Sequence, residues 1–226
     1  MDLNAVEPGC GSGAWTIQAA TQFPAAQILA VDRSPLPNRF LPANISFQIA
    51  DISKEVDFGD EKFDIVHTRF VLFHIPNAHD VLRRIAQQLV RPGGLLLIED
   101  IDLLSYVGTG PASRHYISMV KQMYDERGID MEIGRKIPET VRALRDFPNV
   151  QFQKISLPFG GNGPDDSLNG LGLAMKQSFV RGGDVVAEVL APKGFTHEMA
   201  VKYREELEKD NESLVDVYFC WASRVG

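Results

Sequence analysis

Three glycines at alternate positions, Gly9, Gly11 and Gly13, follow an acid, Glu7, almost at the start of the chain. A run without Cβ atoms can turn sharply and approach a ligand closely. The acid narrows the chemistry. A carboxylate at the tip of the first strand suits a ligand with a cationic end better than one with a pyrophosphate. Asp32 ends an apolar run about one helix later, where an acid can accept hydrogen bonds from both hydroxyls of a ribose. His74 is the best general-base candidate, because it follows a strand at the carboxyl edge where open α/β sheets bind ligands. Its plain alternative is a turn histidine bonded to backbone. His67 reads as a core residue, and His79 as a solvated one. His115 falls in the segment 101–149 and is not ranked as a site residue. Glu99, Asp100 and Asp102 cluster without a histidine-rich partner motif, so no metal centre is expected. The spacing Gly9-x-Gly11-x-x-Ala14 also fits the nicotinamide-dinucleotide fingerprint, and Asp32 would serve that cofactor equally.

Those residues need a parallel sheet to bring them together. Leu3, Ala5 and Val6 suit a short buried strand, and Ala14 to Phe23 suits a helix. Residues 27–32 read as the second strand. Ser34 to Ala43 holds three prolines, which exclude a long regular helix. Residues 45–49 alternate as a third strand, and residues 63–69 have the continuous bulk of a buried parallel strand. Asn77 is the expected cap of a helix whose buried stripe is Val81, Leu82, Ile85, Ala86, Leu89 and Val90. Arg91-Pro92-Gly93-Gly94 is expected to stop that helix and turn the chain into a fifth strand, Leu95 to Glu99. Residues 101–149 read as an insertion with helices over 112–126 and 139–146. A sixth strand follows over 149–157. The next helix, residues 168–181, is expected to end at Gly182-Gly183. Thr196 caps the last helix, and residues 214–222 form a closing strand.

Composition sets outer bounds. The 226 residues suit one large α/β domain, 1–226, or a small domain plus an appendage, and allow a sizeable core. A net charge of −7 argues against a broad nucleic-acid or anionic-membrane surface. Two cysteines, Cys10 and Cys220, cannot make a disulfide framework, which points to a reducing compartment such as the cytoplasm. No apolar run approaches membrane-spanning length.

Glu7-Pro8-Gly9-Cys10-Gly11-Ser12-Gly13 resembles the first motif of class I S-adenosylmethionine-dependent methyltransferases. The order Phe63-Asp64-Ile65-Val66, His74-Ile75-Pro76, helix, Arg91-Pro92-Gly93-Gly94-Leu95-Leu96-Leu97-Ile98-Glu99 is similar to small-molecule members. Trp221-Ala222-Ser223-Arg224 resembles the endings of fungal secondary-metabolism methyltransferases. The resemblance implies a Rossmann-like, doubly wound sheet of seven mostly parallel strands. Helices would cover both faces, and the last strand would run antiparallel between the fifth and sixth. It implies S-adenosyl-L-methionine as cofactor, held by Glu7, Gly9, Cys10, Gly11, Gly13, Asp32, Arg33, Asp51, Ile52 and Arg69. Asp51 would bond the adenine amino group, and Ile52 would lie against the ring. The acceptor would be a small molecule methylated on O, N or S, with residues 101–149 beside it.

Members of that family usually carry helices before the first strand. Their absence here leads to the expectation of an open cofactor site, covered by a second copy or a partner chain. Two other readings compete. A nicotinamide-dependent oxidoreductase accounts for the glycines and Asp32, but not for Glu7, Asp51 and the Arg91–Gly94 turn together. A repurposed, non-catalytic member would keep the fold alone.

Overall fold

A computed structural model describes residues 3–226 apart from Glu55, Asp57, Gly59, Asp60 and Glu61. The strands are β1 (Asn4–Pro8), β2 (Gln27–Asp32), β3 (Ile45–Ile49), β4 (Phe63–Arg69), β5 (Val90–Asp102), β6 (Val150–Pro158) and β7 (Leu214–Ser223). They form one sheet in the order β3-β2-β1-β4-β5-β7-β6. β1 pairs in parallel with β2 and β4, β2 with β3, and β4 with β5. β7 is antiparallel, as expected, and sits between β5 and β6. The helices are α1 (Ala14–Gln22), α2 (Ala78–Arg84), α3 (Pro111–Glu126), α4 (Ile133–Arg142), α5 (Asp166–Leu190) and α6 (His197–Lys209).

The chain divides into two compact units. The first holds residues 1–100, 133–153 and 218–226. Its strands are apolar on both sides because helices cover both faces of a parallel sheet. Adjacent residues of β1 therefore enter different cores. Ala5 joins Ala20, Ala26 and Ile28, while Val6 joins the larger cluster with Val66, Leu82, Ile85, Leu96 and Ile98. Ile133, Ile137 and Val141 of α4, then Leu144 and Phe147, complete that larger core. The segment expected as one insertion over 101–149 is thus divided, with its second half supplying core side chains.

The second unit holds residues 101–132 and 154–217. Its interior is aromatic. Tyr106, Phe159 and Phe179 meet with ring centroids 5.2–5.3 Å apart. Tyr116 stacks on Tyr203 at 4.0 Å.

Four local expectations need correction. Asn77 makes no side-chain cap, since it sits in the left-handed region at φ 54°, and its carbonyl accepts from Asp80 N–H instead. Arg91–Gly94 does not separate the helix from β5. The β4–β5 register steps from Phe63↔Val90 to Ile65↔Leu95, so these residues are a bulge inside one long strand. Gly93, at φ 78°, takes the strained position of that bulge, and its N–H donates to Arg224 O. The helix placed over 139–146 lies over Ile133–Arg142, with Pro138 inside it. Finally, α5 runs through Gly182-Gly183 to Leu190. A Cβ at Gly183 would lie 2.5 Å from Tyr203 Cε1, so this glycine admits a neighbouring ring rather than ending the helix.

Candidate active site

Every residue of the expected cofactor set belongs to the first unit, at or beyond the carboxyl ends of β1, β2, β3 and β4. The glycine loop is fixed from below. Gly9 N–H and Cys10 N–H both donate to Val31 O, at 2.7 and 2.9 Å, and Gly13 N–H donates to Cys10 O at 2.8 Å. All three glycines have positive φ, at 79°, 55° and 73°. Their surroundings differ. A Cβ on Gly9 would lie 2.5 Å from Val71 Cγ2, and one on Gly13 would lie 3.1 Å from Leu36 Cδ2. One on Gly11 would meet nothing within 4 Å. Two glycines therefore serve packing, and Gly11 turns its bare backbone to open space.

Asp32 ties the loop to the end of β2. One carboxylate oxygen accepts from Gly11 N–H at 2.8 Å and the other from Ser34 N–H at 2.9 Å. Each oxygen keeps a further lone pair, so a diol can still be received. Asp51 follows β3. Its Oδ1 accepts from Ser53 N–H and from the Ser53 hydroxyl at 3.0 and 2.6 Å. The Ser53 hydroxyl, more than any other neighbour, holds the Asp51 carboxyl below its ordinary pKa, so it is ionised and ready to accept. Ile52 is buried and belongs to the main core cluster. The Cys10 thiol is pushed up to about 12 by burial, then by the Glu7 and Asp32 charges, so it stays protonated and unreactive.

Beyond β4 the backbone is strained. Phe70 adopts φ 52°, and its N–H donates to Glu99 O at 2.8 Å. A bulky residue in that region is a genuine outlier. Arg69 lies immediately before it, and Val71, two residues on, is the side chain against Gly9. His74 ends the short 3-10 turn Leu72–His74, and its ring lies 3.6 Å from that of Phe73. Although His74 is exposed at the surface, desolvation of its ring by the packed neighbours, then the Arg33 guanidinium, lower its pKa from the ordinary 6.5. Arg33 after β2 and His74 after β4 thus come within electrostatic reach of each other.

Glu7 is placed differently from a surface ligand for a cation. It is 2% exposed, and its Oε2 takes both the N–H and the hydroxyl of Thr16 in α1. Its Oε1 faces His67 Nδ1 at 3.7 Å. His67 is not an ordinary satisfied core residue. It stacks on Trp15 and reaches Glu99 Oε1 from Nε2 at 3.2 Å, while Nδ1 has no hydrogen-bond partner. The sequence carried one signal of this, a histidine directly after Ile65-Val66 inside a buried parallel strand. His79 is also held, with Nδ1 2.7 Å from Thr140 Oγ1. His115 belongs to the second unit, where its ring lies 6.3 Å from Phe195.

This set fits a nucleoside carrying an amino-acid tail. It offers an open, Cβ-free backbone at Gly11, and carboxylates at Asp32 and Asp51. The methyltransferase-domain family model matches residues 2–145. Methyltransferase str3 of Strobilurus tenacellus is 40% identical over 195 residues, covering 84% of this chain and 69% of that one. Methyltransferase str2 of the same organism is 34% identical over 210 residues, covering 91% and 76%. Fungal secondary-metabolism proteins are also among the relatives. Among solved structures, phosphoethanolamine N-methyltransferase 2 of Haemonchus contortus with S-adenosyl-L-methionine superposes with a TM-score of 0.60 at 17% identity. That match covers all of this chain and 49% of the other, and it speaks to the fold alone. On the family match and the identity to str3 and str2, the chain belongs to the class I S-adenosylmethionine-dependent methyltransferases.

Proposed function

We propose that this methyltransferase acts on a small-molecule O, N or S acceptor of fungal secondary metabolism, with its cofactor on the Gly9–Gly13 loop. The observation that carries the cofactor site is the open space at Gly11, flanked by the Asp32 carboxylate that accepts Gly11 N–H. Asp32 would receive the ribose hydroxyls and Asp51 the adenine amino group. Gly9, Cys10, Gly13, Arg33, Ile52 and Arg69 would shape and border the site. Glu7 would act on the methionine end indirectly, by anchoring Thr16 beneath the loop. When bound, S-adenosylmethionine supplies a methyl group already activated by the sulfonium charge. What the protein adds is collinear positioning and exclusion of water. An acceptor with a hydroxyl also needs a base, and His74 is the candidate. Its lowered pKa keeps the imidazole neutral at pH 7, the form that takes a proton. The net charge of −7 supports a small acceptor over a nucleic acid.

The test is incubation with S-adenosylmethionine and fungal metabolite fractions, read by mass spectrometry for products heavier by one methylene. Modified small molecules are the expected result. A mass increase of one methylene found only on added protein or nucleic acid would reject the acceptor class.

A further inference from the structure

Trp15 of α1, His67 of β4, Glu7 of β1 and Glu99 of β5 meet at one point in the first unit. His67 is 1% exposed, and its ring lies 4.0 Å from that of Trp15 with the planes 20° apart. Nε2 is 3.2 Å from Glu99 Oε1, and Nδ1 is 3.7 Å from Glu7 Oε1. These two carboxylates are the charged groups that face the ring, and α1 contributes only the indole. A neutral imidazole has a single N–H and would turn a lone pair toward one of the carboxylates. With so little water present, that contact is repulsive. The imidazolium turns an N–H toward each carboxylate, a hydrogen bond from Nε2 to Glu99 and a charge contact from Nδ1 to Glu7.

We propose that His67, as an imidazolium, is a positioning residue that pins the first turn of α1 and so holds the glycine loop in its cofactor-binding form. This rests on the cofactor site proposed above. The linkage is short. Trp15 stands two residues beyond Gly13, and its neighbour Thr16 donates twice to Glu7, the residue that the second face of the imidazolium steadies. Burial pulls the His67 pKa down, but Glu7 and Glu99 outweigh it, and the net shift is upward from 6.5. The sign follows. The pinned form is present below that raised pKa and is lost as pH rises through it.

Two measurements test this, one of them without cofactor. The chain has two tryptophans, so Trp221→Phe leaves Trp15 as the sole indole. A stacked imidazolium quenches indole emission. Emission of the free chain should therefore rise as pH climbs through the His67 pKa. His67→Gln should abolish that transition, and Glu99→Gln, at a partly exposed position, should move its midpoint to lower pH. The second measurement is calorimetry with S-adenosylhomocysteine. It lacks the sulfonium, so its affinity reads loop geometry more than net charge. Affinity should fall about tenfold across the same window. In His67→Gln it should be flat. If His67→Gln fails to fold by circular dichroism, the Glu99→Gln shift in emission and in affinity decides. An emission transition that persists in His67→Gln, or is unmoved in Glu99→Gln, overturns the proposal. So does an affinity that does not change with pH, which leaves the cofactor site standing. No binding at any pH, with the emission transition present, overturns the cofactor site and the positioning role together.

Discussion

Gly11 combines a positive φ with open space where a side chain would go. Gly11→Val should abolish S-adenosylhomocysteine binding while circular dichroism stays unchanged, because a β-branched residue resists that φ and fills the ligand's approach. Normal affinity in a folded variant would remove the loop from the site. Asp32→Ala should weaken binding by about 1.5–3 kcal/mol for each charge-assisted bond lost. Calorimetry reads that loss, and an unchanged constant would unseat Asp32. For His74, the lowered pKa places the acid limb of kcat/KM below pH 6.5 for a hydroxyl acceptor. The base is neutral above that limb and protonated below it. His74→Gln should reduce kcat by about 10²–10⁴-fold and erase the limb. A variant with the wild-type profile would return His74 to an ordinary turn.

The positions of these residues were legible in the sequence, since glycine spacing and strand-end acids are local patterns. The surroundings of Glu7 and His67 were not. They lie 60 residues apart, and their meeting depends on β1 and β4 being sheet neighbours.

At the scale of elements, strands were easier to place than helix ends. β2, β3 and β4 fall where their apolar runs predict. The end of α5 was misjudged because Gly183 has a stop-like identity for another reason, while Asn77 stands at the start of α2 as expected but makes no side-chain cap bond. One cap came from a distance that no local pattern could reveal. Glu206 of α6 accepts from Ala112 N–H at 3.0 Å and Ser113 N–H at 2.7 Å, closing the start of α3. Gly110 makes the approach feasible, since a Cβ there would collide with the Glu206 carboxylate. Glu206→Gln should cost about 1 kcal/mol of stability, the usual scale of a lost cap, measured by denaturant midpoint. Burial pushes the Glu206 pKa up, but the Ser113 and Ala112 donors outweigh it and lower it from 4.5. Its contribution is therefore complete above 4.5 and lost as pH falls through the lowered value, where wild type and variant should converge. A constant gap across that acid range would exclude the cap.

For the whole molecule, family membership predicts a ligand-linked rise in stability. S-adenosylhomocysteine at about a hundred times its dissociation constant should add about 2.7 kcal/mol. For a chain of this size that raises Tm by roughly 5–10 °C. NADH at the same concentration should leave Tm unchanged. A shift with NADH alone would revive the nicotinamide reading of the glycine loop.

The first unit is closed by its latest residues in sequence. Arg224 sends one guanidinium nitrogen to the carbonyls of Gln87 and Val90, at 2.7 and 2.6 Å, and the other to Asp146 at 2.8 Å. Its backbone exchanges hydrogen bonds with Gly93 and Gly94, and Cys220 and Ala222 fill the main core. On a ribosome, which releases the chain from its N-terminus, the glycine loop and both strand-end acids emerge well before residues 218–226. The core beneath them cannot close until residues 218–226 are free of the exit tunnel. Until then the nascent chain lacks the residues that complete this core, a state prone to aggregation. Stalling or premature termination a few codons before Tyr218 leaves that core without Cys220, Ala222 and the Arg224 tie.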